Sequence, residues 1–551
     1  MTLICVSIPV VDPDLAAADA AQAKQQGADL VEFRIDDFFS GDHDTHAAEN
    51  QARRLSTLIS RSPLPCIVTC RTVAEGGHYD GPEDARIALL EHLTRAPAKG
   101  SHPPRYIDVE HASYARSANL RQKVNLALNI QGGVGTPDPA APTSLILSLH
   151  DTRARPADLL RRLAAMYDTP AASIIKVAYQ ARSLRDSLEL LDLHEHAPKP
   201  TIAVGMGEFG LLSRILAPKF GGFLTFVSLR PASATAPGQP TLRELLDLYR
   251  FRSITRRTSV YGVLGYPVAQ SLSPLVHNAG FAHAGLDSVY LPLPVAPGAD
   301  TAAADLSLKA TLLELLHHPR LDLRGLSVTH PFKESLARLA RAQGWPADEA
   351  VTITGAANTL LIPTDGPPRV LNTDAPAAKA WLEAAIGPLA GKHVAILGAG
   401  GVARAIAYAA AASGARTTIS ARNPAQAAEL VNALREVGEL SAVGWPFAPS
   451  VPTDAVVNCT PLGMTGGPDP AGTPIPDLSR LPAGTTVLDA VYHPLQTPFL
   501  KAAAGAGLAT TDGVGLFTRQ AEAQFREWTG SPPAEGLFER LVREYLRRKE
   551  P

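Results

Sequence analysis

HVAILGAGGVARAIAYAAAASGA (393–415) begins as an apolar run, turns through glycines and continues as an alanine-rich stretch without proline. This order predicts a strand, a tight turn and a helix over 402–412. Strand-like runs follow at RTTISA (416–421) and AVVNCT (455–460), with a second helical stretch over 425–436 between them. Strands that alternate with helices predict a doubly wound α/β layout for this part of the chain.

The glycine turn fits the pattern G-x-G-x-x-G/A through Gly398, Gly400 and Ala403. The first glycine permits the turn, the second lets the backbone approach a pyrophosphate, and the small third residue lets helix and strand pack closely. The next strand ends in ISARNP, where Arg422 stands instead of the acidic residue that binds a ribose 2′-hydroxyl. This favours NADP over NAD. The alternatives are that the glycine turn serves packing alone and that Arg422 is a solvated surface arginine.

The first half of the chain contains eight β-like runs, each followed by a helix-length segment. Eight such units in about 250 residues predict a (β/α)₈ barrel. A helix that closes the barrel is predicted over 241–254, followed by a short linker at 252–259. The runs are 3–8, 30–36, 65–71, 106–111, 144–150, 173–179, 201–206 and 224–229.

Charged and polar side chains stand at or just beyond the C-terminal ends of these runs. Active sites of such barrels lie at the C-terminal ends of the strands, and a charge there is costly to bury without a ligand or a partner. Lys176 interrupts the apolar run SIIKVAY in this way. The alternatives are that Lys176 is a structural lysine held in an ion pair and that His150 is only a capping or core residue. The side chains concerned are Glu32, Arg34, Arg71, His150, Lys176 and Arg214.

Length and composition limit the possible functions. A chain of 551 residues is too long for one hydrophobic core, and a net charge of −2 gives no electrostatic basis for binding nucleic acid or an anionic membrane. The four cysteines lack a CxxC spacing, and the N-terminus lacks the basic region of a signal peptide, so a cytoplasmic protein is expected. No metal is expected, because no residues stand at metal-ligand spacing.

Residues 1–252 resemble type I 3-dehydroquinate dehydratase, through VEFRID, TCRTVAEGG, LSLHD and IIKVA. Residues 258–551 resemble shikimate dehydrogenase, through QSLSPLVHN, GLSVTHPFK, NTDA and the glycine turn. The resemblance implies a barrel over 1–252, a substrate-binding domain over 258–376 with C-terminal helices at 520–551, and a Rossmann NADP-binding domain over 377–519. It also implies that 3-dehydroquinate is dehydrated and the product, 3-dehydroshikimate, is reduced with NADPH to shikimate.

In the first half, the resemblance implies that Lys176 forms a Schiff base, that His150 transfers protons and that Glu75 orients the imidazole. An imine would act as the electron sink for loss of a proton next to the ketone. The implied substrate-binding residues are Glu32, Arg34, Arg71, Arg214, Thr235 and Gln239.

In the second half, the resemblance implies that Lys333 and Asp374 are the catalytic pair. The implied substrate-binding residues are Ser271, Ser273, Thr329, Asn358, Asn372, Tyr492 and Gln520. The implied cofactor-binding residues are Gly398, Gly400, Gly401, Ala403, Arg422, Thr460, Leu462, Met464 and Gly513. A quinate dehydrogenase in the second half and an inactive, pathway-derived regulator are the alternatives, and the oligomeric state stays open.

Overall fold

The computed structural model describes residues 1–39, 45–95, 102–128, 142–448 and 452–549. It divides into two compact units, Met1–Thr258 and Ser259–Pro551. Residues 550 and 551, the end of the predicted C-terminal helices, lie outside the described residues.

The first unit is an eight-stranded parallel barrel. All eight predicted runs form strands, which pair in the order β7-β6-β5-β4-β3-β2-β1-β8. The Phe223 amide donates to the Thr201 carbonyl at 2.9 Å and so links the start of the last strand to the seventh. The predicted (β/α)₈ fold is confirmed. The strands are β1 (Leu3–Pro9), β2 (Leu30–Arg34), β3 (Cys66–Thr69), β4 (Tyr106–Glu110), β5 (Ser144–Asp151), β6 (Ala172–Gln180), β7 (Thr201–Met206) and β8 (Leu224–Val227).

Helices follow the strands around the barrel. They are α1 (Pro13–Gln25), α2 (Thr45–Arg61), α3 (Glu83–Thr94), α4 (His111–Arg116), α5 (Ala118–Ala127), α6 (Leu159–Tyr167), α7 (Leu184–Glu195), α8 (Leu211–Ile215) and α9 (Ala217–Phe220). The prediction of one closing helix over 241–254 is wrong. A π-helical turn at Glu244–Leu248 is followed by a 3₁₀ turn at Phe251–Ser253, because Arg250 between them takes a left-handed φ of 53°.

The second unit begins with a mixed five-stranded sheet. Its order is β10-β9-β11-β12-β13, in which the last two strands run antiparallel to their neighbours. Its strands are β9 (Ser259–Gly265), β10 (Ser288–Pro294), β11 (Leu323–Val328), β12 (Thr359–Leu361) and β13 (Arg369–Leu371). The accompanying helices are α10 (Ser273–His283), α11 (Thr301–His317), α12 (Lys333–Gln343), α13 (Glu349–Thr354) and α14 (Asp374–Ile386).

A six-stranded parallel sheet follows, in the order β16-β15-β14-β17-β18-β19. This order is that of a dinucleotide-binding Rossmann sheet, which confirms the predicted fold. Its strands are β14 (His393–Leu397), β15 (Arg416–Ser420), β16 (Leu440–Val443), β17 (Ala455–Asn458), β18 (Thr486–Asp489) and β19 (Ala509–Thr511). Its helices are α15 (Gly401–Ala412), α16 (Pro424–Leu434) and α17 (Pro498–Gly505).

The last two helices, α18 (Val514–Thr529) and α19 (Leu537–Lys549), pack against the five-stranded sheet. Phe525 and Phe538 share a buried apolar cluster with Phe281 of α10. The Trp528 indole donates to the Leu360 carbonyl at 3.2 Å. The end of the chain therefore completes the core of the sheet that opens the unit. Within the described residues, no helix is both long and apolar enough to cross a membrane.

Candidate active sites

Lys176 lies on β6 inside the barrel, and only 5% of the residue is exposed. Its Nζ donates to Asp108 Oδ2 at 2.9 Å and to Glu32 Oε1 at 3.2 Å. The same atom lies 4.3 Å from the centroid of the Phe226 ring. Two carboxylates offset the cost of burying an ammonium group.

Glu32 on β2 is held in place from both sides. Its carboxylate accepts from Ser7 Oγ at 2.6 Å and from Thr69 Oγ1 at 2.8 Å, besides the bond from Lys176. Burial alone would raise the pKa of Glu32, but the charges of Lys176 and Arg34 hold it below its ordinary value. Glu32 is therefore an ionised partner of the lysine, on the inner face of the barrel.

Asp108 on β4 is the closest carboxylate to Lys176, and sequence reasoning missed it. It accepts from Arg71 Nη2 at 2.8 Å and from Ser148 Oγ at 2.6 Å. Burial works against its ionisation, but Arg71 and Lys176 hold the pKa of Asp108 well below its ordinary value. An acidic residue inside the apolar run YIDVEH was the signal, of the same kind as Glu32 in VEFRID.

Arg71 connects three carboxylates at the end of β3. Its guanidinium lies 2.8 Å from Asp108, 3.2 Å from Glu110 and 3.8 Å from Glu75. Glu110 in turn lies 2.8 Å from Arg86, a fully buried arginine of α3. Sequence reasoning also missed Glu110 and Arg86. The result is a continuous buried ionic network that joins the lysine site to the helix layer.

His150 and Glu75 form a second pair in the same network. Glu75 Oε2 lies 3.0 Å from His150 Nδ1 and accepts from the His150 amide at 2.9 Å. Burial, together with Arg71 and Lys176, lowers the pKa of His150 well below its ordinary value. Burial raises the pKa of Glu75 to about 8, although the charge of Arg71 opposes it. Near neutral pH the imidazole is therefore uncharged and able to accept a proton.

Two further arginines were predicted for this site. Arg214 on α8 is 2% exposed and donates to the carbonyls of Gly205 at 3.0 Å and Phe226 at 3.3 Å. Burial lowers the pKa of Arg214 to about 10, and within the described residues it has no carboxylate partner. Its cation is thus suited to a carboxylate from outside the protein. Arg34 instead makes a two-bond contact with Asp36, at 2.9 and 2.8 Å.

Thr235 and Gln239 lie in the loop after β8 and contact each other. The Thr235 amide and hydroxyl donate to Gln239 Oε1 at 2.9 and 3.2 Å. The loop is tied to the end of β7 by the Gly207 amide, which donates to the Pro237 carbonyl at 2.8 Å. Among the contacts of the described residues, neither side chain reaches Lys176. These two predicted residues are therefore close to each other but outside the ionic network.

Lys333 and Asp374 meet in the second unit. Each begins a helix, α12 and α14 respectively, and the lysine Nζ donates to Asp374 Oδ2 at 2.6 Å. Their side chains are 15% and 12% exposed. A short, mostly buried pair with some access to solvent can hold a proton next to a ligand.

A hydrogen-bonded layer connects β12 to the start of α14. Asn358 Oδ1 accepts from the Thr373 amide at 2.8 Å and from Thr359 Oγ1 at 2.8 Å. Gln524 of α18 donates to Thr359 Oγ1 at 2.9 Å and accepts from Ser327 Oγ at 2.7 Å. Sequence reasoning missed Gln524. The signal was its place at helical spacing on the apolar face that carries Ala521 and Phe525.

Gln520, the predicted glutamine, is half-buried one turn earlier on the same helix. Asn372 donates through Nδ2 to the Ala356 carbonyl at 2.9 Å and accepts from the Ala375 amide at 3.2 Å. It thereby ties the start of α14, where Asp374 lies, to the backbone at Ala356.

The remaining predicted substrate-binding residues lie on separate elements. Ser271 precedes α10, and its hydroxyl accepts from the amide of Ser273 at 3.2 Å. Thr329 follows β11 and packs so closely on Gly265 that a Cβ at residue 265 would clash with the methyl carbon of Thr329. Tyr492 follows β18 and its ring lies 4.8 Å from that of Phe517.

The glycine turn comes close to the catalytic-pair candidate. Gly398 has a left-handed φ of 117°, and its amide donates to the Ser420 carbonyl at 2.8 Å. A Cβ at Gly401 would lie 3.2 Å from Lys333 Cδ, whereas a Cβ at Gly400 would meet no atom within 4 Å. The turn therefore has free space for a ligand on one side and the stem of the lysine on the other.

The other predicted cofactor residues surround this edge of the sheet. Thr460 donates through its amide and its hydroxyl to Asn458 Oδ1, at 2.9 and 2.7 Å, and Leu462 donates from its amide to Thr460 Oγ1 at 3.3 Å. Met464 is 37% exposed. Arg422 is exposed after β15, Ala403 is fully buried in α15, and Gly513 precedes α18.

Known proteins resemble both units. The family model for type I 3-dehydroquinase matches residues 4–256, and that for the shikimate dehydrogenase substrate binding domain matches residues 263–360. A shikimate dehydrogenase (NADP(+)) from Methanocella arvoryzae is 36% identical over 293 residues, which cover 52% of this chain and 99% of that protein. A crystal structure of shikimate 5-dehydrogenase from Thermus thermophilus in complex with NADP(H) and shikimate is 32% identical, with a TM-score of 0.43; it covers 52% of this chain and 99% of that chain.

One relative spans both halves. A chloroplastic bifunctional 3-dehydroquinate dehydratase/shikimate dehydrogenase from Arabidopsis thaliana is 33% identical over 565 residues, which cover 99% of this chain and 85% of that protein. The predicted resemblance is confirmed: the chain belongs to the family of bifunctional 3-dehydroquinate dehydratases/shikimate dehydrogenases.

Proposed function

We propose that this chain dehydrates 3-dehydroquinate at Lys176 and reduces the resulting 3-dehydroshikimate with NADPH at Lys333 and Asp374. The observation that carries the proposal is the buried amine of Lys176, which contacts two carboxylates in the same network as the His150–Glu75 pair. The domains that serve these activities are 1–252, 258–376 with 520–551, and 377–519.

At the barrel site, Lys176 Nζ attacks the ketone carbon, and water leaves as the protonated imine forms. His150 then removes a proton from the adjacent carbon, and the electron pair moves to the imine nitrogen. As the pair returns, the hydroxyl departs with a proton from His150. Hydrolysis of the imine frees the product and restores the lysine. Arg214 binds the substrate carboxylate, and the neutral state of His150 suits it to the first proton transfer.

The glycine turn fits a dinucleotide. Gly398 takes a φ that favours glycine, the space over Gly400 is open, and the first turn of α15 offers backbone N–H groups for a pyrophosphate. NADPH, when bound, supplies hydride to the ketone carbon. Lys333 supplies or positions the proton for the ketone oxygen, and Asp374 holds its ammonium at 2.6 Å.

A coupled assay tests both activities together. With 3-dehydroquinate and NADPH the purified full chain should consume NADPH, and with 3-dehydroshikimate and NADPH it should do so without a lag. Consumption with 3-dehydroshikimate but not with 3-dehydroquinate would contradict the proposed dehydratase, and consumption with neither substrate would contradict the proposed dehydrogenase. A faster rate of cofactor reduction with quinate than with shikimate would favour a quinate dehydrogenase, against which Ser271 and Ser273 argue.

Replacement of Arg422 by Ala is expected to weaken NADPH binding by about tenfold to 100-fold and to leave NADH binding unchanged. A 2′-phosphate loses a charge-assisted partner in this variant, whereas NADH has no such phosphate. Titration of each cofactor against the variant measures the effect. Arg435→Ala, at another exposed arginine, is the control and should change neither affinity. Equal losses for both cofactors would contradict the assignment.

A cytoplasmic location is also part of the proposal. Cys5, Cys66, Cys70 and Cys459 are all free thiols, as in proteins of a reducing compartment.

A further inference from the structure

Asp489 ends β18 as a fully buried carboxylate. It accepts three hydrogen bonds: from Asn458 Nδ2 at 2.9 Å, from the Val491 amide at 3.0 Å and from Thr497 Oγ1 at 2.7 Å. In the part of the chain that the structure describes, no cation pairs with it. A buried carboxylate without a cation is costly, so its retention calls for a reason beyond packing.

The first reason lies in the loop after β17. A carboxylate can only accept, so Asn458 must turn its NH₂ group toward Asp489 and its carbonyl oxygen away. That oxygen is the acceptor for the amide and the hydroxyl of Thr460, at 2.9 and 2.7 Å. Thr460 Oγ1 then accepts from the Leu462 amide at 3.3 Å. Asp489 therefore sets the direction of the side-chain bonds that tie Thr460, and through it Leu462, to Asn458 in the predicted cofactor-side loop, residues 460–464.

The second reason lies in the loop after β18 itself. The bond from the Val491 amide fixes the backbone immediately before Tyr492, and Thr497 caps α17 by accepting from the Leu500 amide at 3.3 Å. The two loops are joined directly, because the Thr465 amide donates to the His493 carbonyl at 2.9 Å. One carboxylate thus holds a loop on the cofactor side and a loop on the substrate side.

We infer that Asp489 is a positioning residue of the dehydrogenase, which orders the 460–464 loop for the cofactor through Asn458. The inference rests on the proposed function and deepens it. It goes beyond the residues of the NADP site named above, since Asp489 lies beneath the loops and acts through Asn458. Burial raises the pKa of Asp489 to about 6, against the lowering effect of its three hydrogen bonds, so the carboxylate is ionised at neutral pH.

The test compares Asp489→Leu with Asp489→Asn in the full chain. Leu removes both carboxylate oxygens, and with them all three hydrogen bonds, and frees Asn458 to rotate, so the dissociation constant and the KM for NADPH should rise about tenfold or more. The side chain introduced by Asp489→Asn keeps one oxygen, which can accept from Asn458 and Val491 when its NH₂ group turns toward Thr497. This variant should therefore keep most of the affinity for NADPH. The rate of 3-dehydroquinate dehydration should equal that of the unmodified chain in both variants.

Direct titration of NADPH, besides turnover, keeps two failures apart. If the unmodified chain binds NADPH but does not reduce 3-dehydroshikimate, the proposed function fails. The titration of the variants then decides the inference about Asp489 by itself. A Leu variant with reduced thermal stability and unchanged NADPH affinity would overturn the inference. Should the Leu variant not fold, Asn458→Ala removes the bond to Asp489 and both bonds from Thr460 but keeps the carboxylate and its bonds from Val491 and Thr497. NADPH affinity equal to that of the unmodified chain would then overturn the inference equally.

Discussion

Replacement of Lys176 by Met should abolish dehydration of 3-dehydroquinate, with a loss on the order of 10³-fold or more, and leave reduction of 3-dehydroshikimate unchanged. Met keeps most of the length of the side chain and removes the amine that forms the imine. The two activities are measured separately, each with its own substrate, so that the reductase serves as an internal control. Borohydride added with substrate should attach the substrate to Lys176 in the unmodified chain and leave the variant unlabelled.

The control must separate lost chemistry from lost folding. Without the lysine cation, Glu32 and Asp108 remain buried with less compensation, which costs about 3–5 kcal/mol when one partner of a buried pair is removed. The double variant Lys176→Met, Asp108→Asn removes one of the two negative charges as well. It should regain part of the thermal stability and still not dehydrate. A labelled lysine other than 176, or a folded variant that still turns over, would contradict the Schiff-base assignment.

The barrel could be predicted because its strands are short apolar runs at regular spacing, which is a local property of the chain. Charged residues in these runs, such as Glu32 and Lys176, also stood out locally, since a charge inside an apolar strand is costly to bury without a partner or a ligand. Asp108 carried the same signal. It was missed because no single run shows which inward-facing carboxylate stands opposite the lysine, and that depends on how eight strands close.

Two features that were not predicted have the same origin. The 241–254 segment has helical periodicity, but its hydrogen bonds shift to a π-helical turn and then break where Arg250 takes a left-handed φ. Gln524, one turn after the predicted Gln520, joins the layer around Thr359, because the rotation of α18 against β12 selects which residue is buried. Packing between distant elements decides both features, and a sequence pattern carries little information about it.

The two lysines differ in what surrounds them. Lys176 contacts two carboxylates and an aromatic ring, whereas Lys333 contacts one carboxylate, and its side chain is 15% exposed. A deeply enclosed amine suits a covalent bond to a substrate. A lysine with a single partner beside the glycine turn suits a proton transfer next to a bound cofactor.

Replacement of Lys333 by Met should lower kcat for the reduction of 3-dehydroshikimate by about 10²- to 10⁴-fold, the range of a lost general acid, and leave dehydration intact. Asp374→Asn should cause a loss of the same kind, because it removes the carboxylate that orients the ammonium at 2.6 Å. Lys309→Met, at an exposed lysine of α11, is the matched control and should retain both activities. Steady-state rates over a range of each substrate separate kcat from KM.

The double variant decides whether the two residues act as one unit. If Asp374 works only by holding Lys333, then removing both should cost little more than removing Lys333 alone, since residues that act together are far from additive. A salt bridge with only a structural role predicts a different pattern: each single variant would lower thermal stability and change kcat little. Losses in kcat that multiply in the double variant would instead give each residue its own contact with the substrate, and Asp374 would then have a catalytic role independent of the lysine.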